Sequence, residues 1–215
     1  HGYRSLNTIQ NSLAKALNSS GDCNIDVNCP LGNGWDNEIN SVAMIVVNGS
    51  GICTGALINN TCNDGTPYFL TANHCLGGGT GSWAFRFNWQ SPPGTESCAT
   101  TSNSVDPGPP YDQTANGATT LVSSAASDFA LLEIDNMTLT DAQNWNCYYA
   151  GWDATDDPNA VTEATGIHHP SGDVKKICRE NNIPYHSSAG GAAVWYIDQW
   201  EEGVTEPGSS GSPLF

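Results

Sequence analysis

Three short segments carry residue types that could together hydrolyse an amide through a hydroxyl group. His74 lies in TANHC, Asp128 in SDFALL and Ser210 in GSSGSP. A free hydroxyl is a poor nucleophile near neutral pH and needs a base to take its proton, and that base needs a carboxylate to orient it. Backbone N–H groups must also face the developing oxyanion, and glycines beside a serine allow the tight turn that points consecutive amides into one concavity. Each segment alone is typical of a structural histidine, a turn or a loop, but together they supply every group this chemistry needs.

Six longer motifs extend the pattern over residues 23–215. They are CNIDVNCP (23–30), CTGALINNT (53–61), YFLTANHC (68–75), AGWD (150–153), IHHP (167–170) and GVTEPGSSGSP (203–213). With the chain order His, Asp, Ser, they resemble the bacterial lysyl endopeptidases, which are chymotrypsin-fold serine peptidases. The resemblance implies an all-β fold of two antiparallel six-stranded β-barrels of the chymotrypsin type, the second barrel being incomplete at the C-terminus.

The resemblance also implies roles for matched residues. Ser210 would be the nucleophile, His74 the general base and then acid, and Asp128 the orienting carboxylate, while Gly208 and Ser210 would supply the oxyanion-hole N–H groups. We therefore expect a secreted serine endopeptidase that forms an acyl-enzyme on protein or peptide substrates, with Lys at P1, and that needs no cofactor. The alternative is a catalytically silent binding or adhesion module on the same scaffold, which an organophosphate fluoride would not label.

Two disulfide bonds follow from the resemblance. Cys53 pairs with Cys75 beside the catalytic histidine, and Cys29 pairs with Cys98. Cys23 matches a cysteine whose family partner has no counterpart in this sequence. The other three have no family assignment, and a bond between the cysteines at 147 and 178 is a further hypothesis.

The spacing of the cysteines and histidines argues against a metal site. The eight cysteines form no CxxC pair, which zinc ribbons and thioredoxin-type redox sites need. Dispersed cysteines in an acidic, turn-rich chain favour structural disulfides in an oxidising compartment. The His168-His169-Pro170 segment lacks a third ligand, and the chain has no HExxH motif, so we expect a structural loop there and no metal.

The sequence departs from the family at the residue before the nucleophile. Many animal members have Asp there, paired with a newly cleaved N-terminus, but this chain has Ser209. Maturation should therefore follow removal of a pro-segment. Residues 1–20, with a predicted amphipathic helix over 5–18, are expected to be the tail of one, and an ordinary N-terminal extension is the alternative.

The origin of lysine specificity is a second departure. The residue six before the nucleophile, where trypsin-like enzymes carry a selecting Asp, is Val204, and Glu206 is expected in a solvated turn. The family's lysine-selecting acid lies beyond Phe215, so we expect residues 1–215 alone to have little catalytic power. The loop at 179–192 has Tyr185 and His186 where the best-known relatives have a tryptophan.

Short strands must position these groups. Trp83, Phe85, Phe87 and Trp89 alternate and should share one buried face. A Pro/Gly/Ser-rich loop over 91–117 is expected to join two units. This gives residues 1–22 as an N-terminal helix, 23–117 as the first barrel with its loop, and 118–215 as the second. The predicted strands are Val42–Val47, Cys53–Ile58, Tyr68–Ala72, Trp83–Trp89, Phe129–Ile134, Cys147–Trp152, Val161–His168 and Ala193–Trp200.

Composition excludes several partner classes. The chain has 215 residues, with 6 Lys+Arg against 22 Asp+Glu and a net charge of −16. Nucleic acids and anionic membranes both need clustered positive charge, so we expect neither as a partner. A hydrophobic content of 38% with 7 Trp and 7 Tyr argues for a packed core rather than disorder. We expect a monomer.

Overall fold

The computed structural model describes residues 19–47, 50–100, 104–154, 157, 161–189 and 191–215. Within them the chain is mostly β-structure, which confirms the all-β class. The elements in chain order are β1 (Ile25–Asp26), α1 (Asp36–Ser41), β2 (Val42–Val47), β3 (Ser50–Leu57), β4 (Tyr68–Thr71), β5 (Ala84–Phe87), β6 (Thr114–Asn116), β7 (Ala118–Ser124), β8 (Phe129–Ile134), α2 (Leu139–Asn144), β9 (Ala164–His168), β10 (Lys176–Glu180), β11 (Tyr185–Ala189) and β12 (Ala192–Tyr196).

One antiparallel sheet of seven strands, in the order β6-β5-β2-β3-β4-β8-β7, dominates the fold. Its inner face is filled by alternate residues of β5 and β8, because successive side chains of a strand point to opposite faces. All four residues of the predicted alternation, Trp83, Phe85, Phe87 and Trp89, are buried, but they do not share one face. The first three pack into the main core, whereas Trp89 belongs to a separate cluster and stacks on His169 with ring centroids 6.0 Å apart.

Two smaller antiparallel sheets complete the structure. One has the order β1-β10-β9, and the other is the exposed hairpin β11–β12. β9 is buried along its whole length, and an isolated bridge joins its Gly166 to Leu214 near the end of the chain. The segment that contains Ser210 is thereby held between this sheet and the seven-stranded one.

Some expected elements differ from those observed. The predicted strand at 147–152 is wrong, because the structure has only one isolated bridge there, between Ile58 and Ala150. The predicted loop at 91–117 contains β6, and β7 and β8 pair into the same large sheet as β4, so that sheet continues past residue 117. The predicted helix at 5–18 lies outside the described residues. The domain limits and the count of two barrels stay predictions.

The two α-helices of the described residues have six residues each, so neither could span a bilayer.

Candidate active site

His74 lies just after β4, in a short 3₁₀ helix, Asn73–Cys75. β4 pairs antiparallel with β8, with Thr71 opposite Ala130. The end of one antiparallel strand lies beside the start of its neighbour, so the residues after β4 meet those before β8. Asp128 immediately precedes β8 and therefore lies beside His74, although the two are 54 positions apart in the sequence.

Asp128 binds His74 through both carboxylate oxygens. Oδ2 lies 2.7 Å from His74 Nδ1, and Oδ1 accepts the backbone N–H of His74 at 2.9 Å. Asp128 has a φ of +53°, an uncommon conformation for a residue with a side chain and one that recurs at functional sites. A carboxylate at Nδ1 favours the tautomer protonated there, which leaves Nε2 of the neutral imidazole as an acceptor. The pair can therefore serve as an oriented base.

A disulfide bond connects the histidine segment to the central strand β3. Cys53 in β3 is bonded to Cys75, with Cα atoms 6.2 Å apart, as the resemblance implied. Cys75 Sγ also contacts the Ser210 carbonyl oxygen at 3.8 Å. The bond thus fixes the residue after His74 to the central strand and places it against the serine.

The loop with Ser210 is hydrogen-bonded to the same central strand. The Thr54 N–H donates to the Ser210 carbonyl at 2.8 Å, and Thr54 Oγ1 donates to the Gly208 carbonyl at 2.9 Å. Gly211 lies so close to β3 and β4 that an added Cβ would be 2.4 Å from the Thr54 carbonyl oxygen and 2.7 Å from the Ala72 nitrogen. Sequence analysis singled out Ser210 and Gly208 but gave no sign that Thr54 holds them.

The turn around Ser210 leaves two amide groups available. Gly208 and Gly211 have φ values of +102° and +83°, which L-residues with side chains rarely adopt. The Ser209 N–H donates to the Glu206 carbonyl at 3.0 Å. Across the described part of the chain, the N–H groups of Gly208 and Ser210 donate no hydrogen bond. Two such amides in one tight turn are what stabilisation of an oxyanion requires.

Ser209, the residue before the proposed nucleophile, pairs with a histidine. Its Oγ lies 2.8 Å from His168 Nδ1, and both residues are buried. Burial and, to a smaller extent, the nearby Lys176 charge together lower the pKa of His168 to about 3. The hydrogen bond at this position therefore joins two uncharged groups.

His169 and His74 differ in what they offer a metal ion. His169 is buried, its Nδ1 lies 2.9 Å from the Asp173 carbonyl oxygen, and burial lowers its pKa well below the usual value. Among the described residues, the one group close enough to share a metal is His74 with Cys53 and Cys75, whose ligand atoms lie within 4.8 Å of one another. The two sulfurs are bonded to each other, so that group offers one imidazole only.

The structure also tests the predictions made for the remaining cysteines and for Glu206. Cys29 and Cys98 form the second disulfide, with Cα atoms 5.8 Å apart. The hypothesis of a bond between the cysteines at 147 and 178 is wrong, since both are free thiols. Burial raises the pKa of each thiol, that of Cys147 to about 12.

The prediction of a solvated turn for Glu206 is also wrong, because its carboxylate is half-buried and hydrogen-bonded.

Comparison with known proteins agrees with this geometry. Residues 17–215 match the family model of the lysyl endopeptidase C-terminal domain. The chain is 30% identical over 208 residues to a lysyl endopeptidase of Pseudomonas aeruginosa strain PAO1, and the match covers 91% of this chain but 42% of that protein. Its fold is similar to that of an HtrA-type protease solved with a tripeptide (14% identity, TM-score 0.53, 85% of this chain and 49% of that one). It is also similar to that of a human heparin binding protein variant (15% identity, TM-score 0.50, 83% of this chain and 75% of that one). The chain has the chymotrypsin-type fold and belongs to the lysyl endopeptidase C-terminal-domain family.

Proposed function

We propose that this chain is the larger part of the catalytic domain of a secreted serine endopeptidase that hydrolyses peptide bonds through an acyl-enzyme. His74, Asp128 and Ser210 carry the reaction. The proposal depends above all on one observation. His74 Nδ1 lies 2.7 Å from Asp128 Oδ2, and the next residue, Cys75, is disulfide-bonded to Cys53 and contacts the Ser210 carbonyl through its Sγ.

In this mechanism the Ser210 hydroxyl oxygen attacks the carbonyl carbon of the scissile bond while His74 Nε2 takes its proton. Asp128 keeps the imidazole in the productive tautomer and offsets the charge of the imidazolium. The substrate oxygen becomes an oxyanion that accepts hydrogen bonds from the N–H groups of Gly208 and Ser210. The C–N bond then breaks as His74 gives the proton to the leaving amine. Water attacks the acyl-enzyme while His74 takes its proton, and His74 passes that proton to the Ser210 oxygen as the ester bond breaks.

Lysine at P1 is part of the proposal and is supported by the family alone. Val204, six residues before Ser210, is apolar, and the Glu206 carboxylate is hydrogen-bonded within the protein. Neither residue accounts for recognition of a lysine side chain. The substrates we propose are proteins and peptides, cleaved after lysine.

Secretion is supported by the two disulfides, since such bonds persist in oxidising environments. An acidic chain with few lysines and arginines is consistent with a monomer whose partners are peptide substrates rather than nucleic acids or membranes.

The test is hydrolysis of lysyl, arginyl and leucyl p-nitroanilides by the full-length protein and its variants. Ser210→Ala and His74→Ala should each lower kcat by about 10⁵-fold or more, because members of such a triad act as one unit. Ser212→Ala, on the same loop, is the matched control and should retain activity. Wild-type protein should hydrolyse the lysyl substrate best. Undiminished hydrolysis by Ser210→Ala would refute the proposal.

The binding-module alternative makes the opposite prediction. A silent module would have no hydrolytic activity for Ser210→Ala to remove. The bidentate placement of Asp128 on His74 favours the enzyme, because a module that only binds has no need of an oriented base.

A further inference from the structure

The described chain begins with a segment, residues 19–24, that lies against the loops around the proposed nucleophile. Ser19 Oγ donates to the Ser171 carbonyl at 3.4 Å, and Ser20 Oγ donates to Asp173 Oδ2. Ser171 and Asp173 are both buried, and they follow β9 directly. The sequence therefore folds an N-terminal segment onto residues about 150 positions downstream.

Glu206 is the main anchor of this segment. Its Oε1 accepts the Gly21 N–H at 2.8 Å and Asn24 Nδ2 at 2.9 Å. Its Oε2 accepts Ser171 Oγ at 2.7 Å. Asn24 is itself buried, and its Nδ2 also reaches the Gly21 carbonyl at 3.0 Å, which closes the segment around the carboxylate. Hydrogen bonds to an ionised acceptor are about twice as strong as neutral ones, so this is a firm attachment.

The main chain of Glu206 holds the residue next to the nucleophile. The Glu206 carbonyl accepts the Ser209 N–H at 3.0 Å, and the Glu206 N–H donates to Ser209 Oγ at 3.2 Å. Ser209 Oγ also pairs with the buried His168, and the Pro207 carbonyl accepts the Ser171 N–H at 2.6 Å. One residue thus connects residues 19–24 to the turn that presents the Gly208 and Ser210 amides.

We propose that Glu206 is a positioning residue, which fixes the Gly208–Ser210 turn in its catalytic geometry by binding residues 21–24 and Ser171 through its carboxylate. The inference rests on the proposed function for its catalytic consequence. The Glu206 contacts take the place of an ion pair that an acid directly before the nucleophile would form with a cleaved N-terminus. Ser209 cannot form that ion pair. Here the acid lies three residues further upstream and accepts neutral N–H and O–H donors.

The experiment compares Glu206→Ala, Glu206→Gln and Gly21→Ala in the full-length protein. Glu206→Ala removes the side-chain bonds to Gly21, Asn24 and Ser171 and should lower kcat by about 10- to 100-fold, since a displacement of about 1 Å costs up to about 10²-fold. Glu206→Gln keeps an acceptor for Gly21 and Asn24, and the Ser171 hydroxyl can turn to accept, so most of the activity should be retained. KM should change by less than about threefold in each variant.

Gly21→Ala tests the same contact from its other side. An added Cβ would lie 3.0 Å from Glu206 Oε1, so the carboxylate must shift by a few tenths of an ångström. Gly21 is exposed, so this variant should fold, and its kcat should fall by less than in Glu206→Ala. Glu202→Ala is the matched control, because Glu202 is a partly exposed acid that pairs with Arg179 instead. It should keep kcat within about twofold.

Hydrogen exchange of residues 205–213 gives a second measurement that does not depend on activity. Loss of the anchor should speed exchange of the Ser209 amide by about tenfold or more in Glu206→Ala, with no change in Glu202→Ala. Unchanged exchange and unchanged kcat in both Glu206→Ala and Gly21→Ala would overturn the inference. If Glu206→Ala fails to fold, Gly21→Ala alone decides. Retained activity in Ser210→Ala would refute the proposed function but would leave the exchange result as a test of the anchor.

Discussion

Gly211→Ala is the substitution whose effect the structure defines most sharply. A Cβ at this position would lie 2.2 Å from Thr71 Oγ1, 2.4 Å from the Thr54 carbonyl oxygen and 2.7 Å from the Ala72 nitrogen. The hydroxyl of Thr71 can rotate away, but the two backbone atoms belong to β3 and to the end of β4. The loop would therefore have to move by about 1 Å to bring the methyl carbon from 2.4 Å to the 3.4 Å of ordinary contact.

That movement would displace Ser210, the residue before Gly211, relative to the backbone of Ala72, which lies two residues before His74. A misplacement of about 1 Å costs up to about 10²-fold in rate, so kcat should fall about 100-fold. The φ of +83° adds about 1–2 kcal/mol of strain, which for a chain of this size lowers Tm by roughly 2–8 °C.

The assay is lysyl p-nitroanilide hydrolysis at saturating substrate, with Tm measured on the same samples. Gly81→Ala is the control, since Gly81 is exposed, lacks a positive φ and has no atom within 4 Å of an added Cβ. It should match the wild type in both measurements. A Gly211→Ala enzyme with kcat within threefold of the wild type would show that this contact does not position the nucleophile.

Three further predictions concern the supporting residues. Removal of the Cys53–Cys75 bond by the double substitution to alanine should lower the free energy of unfolding by about 3 kcal/mol, because the bond closes a loop with a sequence separation of 22, and urea denaturation would detect this. Asp128→Asn should lower kcat about 10⁴-fold, since an amide at Nδ1 favours the wrong tautomer of His74, and unchanged kcat would argue against an orienting role. Burial lowers the pKa of Lys175 from 10.5 to about 7, so between these two pH values the unfolded chain binds more protons than the folded one, and stability should rise with pH across this window by up to about 1.4 kcal/mol per unit. Lys175→Met should remove this rise, and identical pH profiles for the two proteins would contradict it.

The sequence predicted those parts of the fold where burial imposes a period. β5 and β8 alternate between buried and half-buried residues, so their hydrophobic pattern is visible in the sequence. β11 is exposed at every position, and no hydrophobic period marks it. β10 starts with Lys176, a residue type that usually lies at the surface. Its side chain is buried because Asp26, 150 positions away, accepts a hydrogen bond from its Nζ, and no local pattern signals such a partner.

In the candidate site, the residues that stand in short motifs were predictable from the sequence, and the contacts that hold them were not. His74 and Asp128 stand in short motifs whose chemistry depends on residue type, and the structure brings them within hydrogen-bonding distance. The contacts of Glu206 with Gly21 and Asn24 join distant parts of the chain through common polar groups. The prediction of a strand at 147–152 was wrong because large aromatic residues were taken as a sign of burial. Tyr148 and Trp152 gave it an apolar appearance, but both are exposed, and Trp152 Nε1 donates to the Asn59 carbonyl.

The most direct measurement is to label the full-length protein with an organophosphate fluoride and to locate the modified residue by peptide mass spectrometry. Such a reagent reacts with a serine hydroxyl only where a neighbouring base activates it. Our account predicts one phosphorylated residue, Ser210, and labelling slowed by orders of magnitude in His74→Ala. Absence of label in the wild type, label on a different serine, or an unchanged rate in His74→Ala would contradict it.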